Sequence, residues 1–377
     1  MRILQVVTLM TPENVFGGPV TVAMNQSREL AKRGHHVVVA GGSRGYPNGS
    51  VESDGGVELR RFPVRQVIPG AGFSGIASLA LLAYIRREAR NFDVIHVHMA
   101  RDLITLPAAA IASALGVPIV VQAHGMIDPS NRILAKPLDA LMTRRVLRRA
   151  AAVFHLTPNE LTDLQCVLGT PLENAQLLGN GVNMPGSPDL PAKPIEVLFC
   201  GRLQTRKRPV LFAEAAEALL AEGIEARFRL VGADEGEGPA VQQVIDRVGR
   251  PDMLTWEGAV APQQVLEHMT DASVFVLPAV DEPYPMAVIE AMSLGRPVII
   301  TDTCGLAPIV EQSESGLVTD RSFQALVDAI RLLVQDSALR AKMALQATEA
   351  CRVTFSIAGV AEGLERAYAG VRGNHPN

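Results

Sequence analysis

Short apolar runs recur along this 377-residue chain, separated by stretches whose apolar residues fall three and four apart. That alternation marks strands buried on both faces with helices between them. Ile3–Val7 reads as a buried strand, followed by a loop over Thr11–Gly18 ending in Gly17-Gly18-Pro19 and a helical pattern to about Arg33. Gly34 ends that helix and Val37–Ala40 is the next strand. Such a β-loop-α-β unit implies a parallel sheet with ligand loops at the strand C-termini. Val57–Phe62, Val94–Val97, Ile119–Ala123 and Ala152–Leu156 continue the strands, with helices near Leu103–Leu115, Pro137–Arg149 and Pro158–Leu168. After Asn180-Gly181-Val182 comes a Pro- and Gly-rich stretch, and the alternation restarts. Strands are predicted at Glu196–Cys200, Arg227–Val231, Met253–Trp256, Ser273–Leu277 and Val298–Thr301, with two helical segments over about 322–349. The pattern predicts an α/β chain of two doubly wound, Rossmann-like domains facing across a cleft. Their expected bounds are 1–182 and 195–355, joined by a linker over 183–194, with a last amphipathic helix over 356–371 that suits either domain.

Composition narrows the class. With 48% apolar and 20% charged residues the chain is globular, and its richest apolar run, Ile76–Ile85, is too short to span a bilayer. The four cysteines (Cys166, Cys200, Cys304, Cys351) are widely spaced and read as reduced core thiols. Met1-Arg2 leads straight into an apolar run without a cleavage site, so a cytoplasmic protein without a signal peptide is expected. The net charge of -4 conceals +5 up to Val182 and -9 beyond it. A basic first half suits an anionic acceptor or the inner face of an anionic membrane. Its arginines Arg144, Arg145, Arg148 and Arg149, with Arg132 and Lys136 upstream, read either as a solvated helix face or as such a membrane contact. One Trp, four Tyr and no interleaving of basic with aromatic residues argue against nucleic acid.

The candidate chemistry centres on Asp281–Glu290, DEPYPMAVIE. A helix beginning near Met286 leaves Glu282 on the loop before it and Glu290 about one turn inside. Two carboxylates beside a helix N-terminus suit an anion on the free amides and sugar hydroxyls on the acids. The same spacing also suits a core helix with two solvated acids. Gly201–Pro209, GRLQTRKRP, places Arg202 and Lys207 between a strand end and a helix start, where cations would hold a diphosphate. A solvated loop is the alternative. His124 follows the strand before it and a structural histidine is the competing reading; His96 and His98 share one strand face without a third metal ligand at a recognisable spacing. Gly70–Gly75 matches GxGxxG but follows a poor strand and reads as a flexible loop. No DxD or GxxxxGK occurs, which argues against a metal-chelated donor and a P-loop.

In this order, the Gly-Gly loop, the His after a strand, Asn-Gly-Val, Gly-Arg-Leu with a following Lys, and Glu-x7-Glu resemble the family 4 glycosyltransferases, over nearly the whole chain. The resemblance implies the GT-B fold and retention of anomeric configuration. It also implies that Arg202 and Lys207, after Gly201, hold the donor diphosphate, that Glu290 binds the ribose and that Glu282 contacts the transferred sugar. The Met286 and Ala287 amides would meet phosphate and sugar, and His124 would lie against the donor sugar near the reaction centre. Gly17 and Gly18 would admit acceptor and phosphate close to the backbone, and Gly258-Ala259-Val260 would lie beside the base. The family usually reads Glu-Pro-Phe-Gly; here Pro285 replaces the Gly and removes one amide donor. The HGMIDP run, His124–Pro129, is similar to members that build bacterial surface polysaccharides.

The expected activity is metal-independent, retaining transfer of a hexose from a nucleotide-diphosphate sugar to a glycan, lipid-linked or small-molecule acceptor, without a cofactor. A UDP-sugar is the first choice and a GDP-sugar the second. A GT-B epimerase acting on the nucleotide sugar and a non-catalytic nucleotide-sugar-binding protein are the alternatives.

Overall fold

A computed structural model describes residues 1–12, 17–46, 51–130, 135–184 and 194–373. Arg132 and residues 185–193 of the expected linker lie outside them. The chain divides into two compact units, Met1–Gly181 with Ile357–Asn377, and Val182–Ser356.

The first unit holds β1 (Arg2–Met10), β2 (His36–Ser43), β3 (Val51–Asp54), β4 (Val57–Pro63), β5 (Arg65–Gln66), β6 (Ile76–Ala77), β7 (Val94–His98), β8 (Ile119–Gln122), β9 (Ala152–His155) and β10 (Ala175–Leu177). Its main sheet runs β10-β9-β8-β7-β1-β2-β4-β3, parallel except for the edge strand β3, while β5 and β6 pair with each other. The strand order reverses between β1 and β7, the switch point at which open α/β sheets leave a crevice. Strand alternation sorts the side chains onto two faces. Leu4, Val6, Ile95, Val97, Ile119 and Val121 join one core, and Ile3, Val7, Val94 and Val120 the other. Gln5, His96, His98 and Gln122 therefore fall on the second face, which Val360, Leu364 and Tyr368 of the helix Ile357–Gly373 cover.

The second unit contributes β11 (Glu196–Cys200), β12 (Arg227–Val231), β13 (Leu254–Trp256), β14 (Val274–Leu277), β15 (Val298–Thr301) and β16 (Gly316–Thr319). All are parallel, in the order β13-β12-β11-β14-β15-β16, with the switch point between β11 and β14. Its core runs through Phe199, Phe212, Phe228, Phe275 and Met292, all fully or nearly fully buried.

The α/β class with two doubly wound sheets is present. Gly17 and Gly18, expected in the loop, are instead the first two residues of the helix Gly17–Lys32. The helix expected over Pro137–Arg149 is interrupted by a π stretch, Asp139–Thr143, between Ala135–Leu138 and Arg144–Arg149. β3, β10 and β16 carried too short or too polar a pattern to be predicted: Ala175-Gln176-Leu177 has one exposed leucine, and Val51–Asp54 is an exposed edge.

Candidate functional site

At the switch point of the second sheet, the loop after β11 meets the loop after β14. Leading from β11 into the helix Pro209–Ala221, the first loop passes through a 3-10 turn, Thr205–Lys207, and a left-handed Arg208 (φ 55°). The Lys207 side chain folds back over Gly201, where a Cβ would come within 3.1 Å of Lys207 Cδ and 3.2 Å of its Nζ. A side chain at 201 would crowd the lysine out of this position. From the second loop, Glu282 is buried, and its Oε2 lies 3.2 Å from Arg206 Nη2 and 3.7 Å from Lys207 Nζ. These are ion-pair distances without hydrogen-bond geometry. Glu282 Oε2 is therefore shielded from water and lacks a hydrogen bond among the described residues. A buried carboxylate oxygen in that condition has acceptor capacity to give a ligand hydroxyl.

The backbone around Glu282 is tightly held. Asp281 adopts φ 53° and its amide donates to Thr303 Oγ1 at 3.0 Å; Gly305 N donates to Glu282 O at 2.9 Å. Val280 N donates to Arg206 O at 2.9 Å, which ties the two loops together directly. Among the described residues, two of the four non-glycine residues with left-handed φ, Arg208 and Asp281, lie in these two loops. Strain of that kind gathers where function demands a fixed geometry.

The helix Met286–Ser293 begins where the sequence places it, with Pro285 as N-cap (φ -74°, ψ 106°). Val288 N and Ile289 N donate to Pro285 O, so the amides of Met286 and Ala287 precede the first intrahelical bond. Glu290 lies about one turn into this helix and is half-buried; burial raises its carboxyl to about 7. Lys207 and Glu290 both influence the buried Cys200 thiol, which burial pushes up to about 12. Lys207 and Glu282 likewise influence Cys304. Lys207, Glu282 and Glu290 thus converge on one region.

Arg202 is placed differently. Its Nη1 donates to Glu235 Oε1 at 2.8 Å, and the side chain is 52% exposed, against 14% for Lys207. The cation beside Lys207 at Glu282 is Arg206, a residue of the same basic run whose role its neighbours in sequence do not reveal. Gly258 (φ 71°) follows β13 and its carbonyl accepts Gly232 N at 2.7 Å, while Val260 packs half-buried on the core.

In the first unit, His124 follows β8 with φ 53°, and its Nε2 lies 2.7 Å from His98 Nδ1. His98 Nε2 lies 2.7 Å from Gln5 Oε1, and His96 Nδ1 lies 2.8 Å from Tyr368 Oη. Burial pushes His96 and His124 down to about 3 and His98 well below its usual value. The link from His98 to His124 spans two strands, so no local spacing announces it. Nothing lies within 4 Å of where a Cβ on Gly18 would sit.

Residues 183–350 match the family described as Glycosyl transferases group 1, and residues 17–181 match the Glycosyl transferase 4-like domain. The chain belongs to the family 4 glycosyltransferases. This glycosyltransferase is 27% identical to the D-inositol 3-phosphate glycosyltransferase of Rhodococcus erythropolis, covering 96% of this chain and 88% of that one. It is 30% identical to the putative colanic acid biosynthesis glycosyltransferase WcaL of Escherichia coli over 45% of this chain and 44% of that one. Among solved structures, Anabaena HepE in complex with UDP and glucose superposes with a TM-score of 0.75 at 18% identity, covering 97% of this chain and 99% of that one. That likeness establishes the shared GT-B fold.

Proposed function

We propose that this glycosyltransferase moves a hexose from a UDP-sugar, or in second place a GDP-sugar, to a glycan or lipid-linked acceptor, with retention and without a metal ion. The observation that carries the reading is the pair of cations on the buried Glu282 at the β11–β14 switch point, directly ahead of the helix Met286–Ser293. A donor diphosphate offers Lys207 and Arg206 a stronger partner than a carboxylate held at 3.7 and 3.2 Å. When it binds, the Met286 and Ala287 amides complete the anion site, and Arg202 leaves the exposed Glu235 to join it. Glu282, relieved of its cations, accepts hydrogen bonds from the transferred sugar, and Glu290 accepts them from the ribose. The base lies along Gly258–Val260, and Gly17 and Gly18 admit the acceptor.

Preorganised positive charge stabilises the departing nucleoside diphosphate as the anomeric C–O bond breaks. The acceptor hydroxyl attacks the face the leaving group vacates, its oxygen forms the new bond, and its proton passes to a phosphate oxygen. His124 lies against the sugar. Complexes of Anabaena HepE with UDP and UDP-glucose support the uridine choice, and the colanic acid relative supports a polysaccharide acceptor.

A thermal-shift series with UDP, GDP, ADP and their sugars tests the donor, since a ligand that binds only the native state raises its stability. No shift with any of them removes the reading. Turnover is expected to be unchanged by a chelator; its abolition would sink the metal-free mechanism. An epimer formed from nucleotide sugar alone, without acceptor, would replace the transferase reading with an epimerase.

We also propose that the first unit touches anionic membrane. Lys136, Leu141, Arg144, Arg145, Arg148 and Arg149 are all exposed on one stretch, 135–149, a basic surface with one large apolar side chain. No helix among the described residues is long and apolar enough to cross a membrane. Binding to phosphatidylserine vesicles should be strong at low salt and fall steeply toward 0.5 M, on the order of tenfold or more. Absence of binding at low salt removes this part.

A further inference from the structure

Around His124 the first unit builds two separate buried supports, one to the ring and one to the backbone. The ring support begins at Gln5, whose Oε1 has no proton, so the His98 nitrogen facing it at 2.7 Å carries the hydrogen. A neutral imidazole holds one N–H, which leaves His98 Nδ1 as an acceptor. The nitrogen it faces at 2.7 Å, His124 Nε2, must then be the donor. His124 therefore carries its hydrogen on Nε2, and its Nδ1 is bare, shielded from water and without a hydrogen bond among the described residues. The three rings stack, His96 on His98 at 4.6 Å and His98 on His124 at 5.0 Å, which fixes their planes.

The backbone support is Glu160. His124 and Gly125 take consecutive left-handed conformations (φ 53° and 70°), and a buried Glu160 accepts Gly125 N at 2.5 Å through one carboxylate oxygen. The other oxygen accepts Leu156 N at 2.6 Å, which anchors the turn to the end of β9. Thr157 Oγ1 caps the helix Pro158–Leu168 by accepting Glu160 N, so the carboxylate is itself held on a rigid element.

We propose that Gln5, His98 and Glu160 are positioning residues that present His124 to the donor sugar as a fixed, neutral imidazole with no proton to give. The proposal rests on the reading above that His124 contacts that sugar. The titratable groups that face the histidines are few. His96 stacks on His98 and turns its Nδ1 to Tyr368 Oη at 2.8 Å, and Glu160 is spent on backbone amides. Burial holds His96 and His124 near 3, so none of these rings carries a charge at neutral pH. Leaving-group departure then depends on the cations of the second unit, without acid assistance from His124.

The test uses the full chain labelled with 15N-histidine. Two-bond 1H–15N spectra at pH 6, 7 and 8 should show His124 protonated on Nε2 and bare on Nδ1, unchanged across the series. A hydrogen on Nδ1, which would mean that the relay runs the other way from a reversed Gln5 amide, or an imidazolium signal, overturns the proposal. Kinetics supply the second readout. His98→Phe keeps a buried planar ring but offers no acceptor, and kcat should fall about tenfold while donor KM stays within about twofold. His98→Gln supplies an amide hydrogen to Gln5 and a carbonyl to His124, and should recover most of that loss. Both variants should keep the parent's far-UV circular-dichroism spectrum, which reports both units, and equal rates for the two then overturn the proposal. Unchanged turnover in His124→Ala would instead remove the role of His124 in the proposed reaction, a failure that the spectra distinguish because they report the tautomer alone.

Discussion

Glu290 sits one turn into the helix Met286–Ser293 with its carboxyl raised by burial from 4.5 to about 7. Accepting two ribose hydroxyls needs the carboxylate, so nucleotide binding at pH 7 should release about half a proton. Calorimetry in two buffers of different ionisation enthalpy reads this directly, and a heat independent of buffer would count against the ribose role. The sign for stability follows from the same shift. A carboxyl whose folded value lies above its unfolded value favours the fold at low pH, and that contribution is lost as pH rises from about 4.5 through about 7. Glu290→Gln should therefore remove a fall in stability of up to about 3 kcal/mol between pH about 4.5 and about 7. Glu282 and Lys207 separate binding from turnover. Lys207→Ala should weaken nucleotide binding about tenfold, through loss of a charge-assisted contact. Glu282→Ala should cost kcat on the order of a hundredfold with little change in nucleotide affinity. Comparable affinity losses in both would mean that Glu282 does not act on the sugar.

At the level of elements, the loop over 302–306 is the support for the acidic loop before the helix Met286–Ser293. Gly305 passes so close to that loop that a Cβ on it would lie 1.9 Å from Pro283 O, and its amide holds Glu282 O. Gly305→Ala should lower the urea midpoint by the equivalent of about 2 kcal/mol with an unchanged m-value, and raise donor KM as Glu282 shifts. A midpoint within error of the parent would show that the loop relaxes freely. The helix itself was legible to the residue, because Pro285 and Gly295 bracket an apolar run: Pro285 is its N-cap and Gly295 turns left-handed at φ 69° beyond it. The strands β11, β12 and β15 were equally legible, being short, apolar and bounded by turn residues. The π stretch Asp139–Thr143 was not, since Asp139 takes Arg101 Nε at 2.9 Å from a distant loop and local pattern cannot foresee that partner.

Over the whole molecule, pH acts on the two units with opposite signs. His96, His98 and His124 are buried neutral, so their folded values lie below the ordinary 6.5. Their contribution is present above 6.5 and is lost as pH falls toward about 3. Stability should thus decline through the first unit as pH falls below 6.5, and through Glu290 as pH rises from about 4.5 to about 7. Far-UV circular dichroism reports both units, whereas fluorescence of the single Trp256 reports the second. Between pH 6.5 and 4.5 the Trp256 midpoint in urea should rise as Glu290 takes up its proton, while the part of the circular-dichroism transition that Trp256 does not report moves to lower urea. A parallel fall in both signals would refute this division, or show that the two units unfold together.

What the sequence determined by itself was local: strand, helix and turn identity, the α/β class, and the placing of Glu282, Glu290 and Lys207 around one helix start. Apolar period, Pro and Gly act over a few residues, and so does a glutamate spaced seven positions from another. Tertiary structure alone decided which charges meet. Arg206 rather than Arg202 stands beside Lys207 at Glu282, and Arg202 pairs with Glu235, because loop paths after β11, β12 and β14 set those distances. It alone brought Gln5, His98 and His124 into one relay and set Tyr368, 272 residues from His96, against that ring. Adjacency of strands β1, β7 and β8 is a property of the sheet order, and no short-range pattern in the chain encodes it.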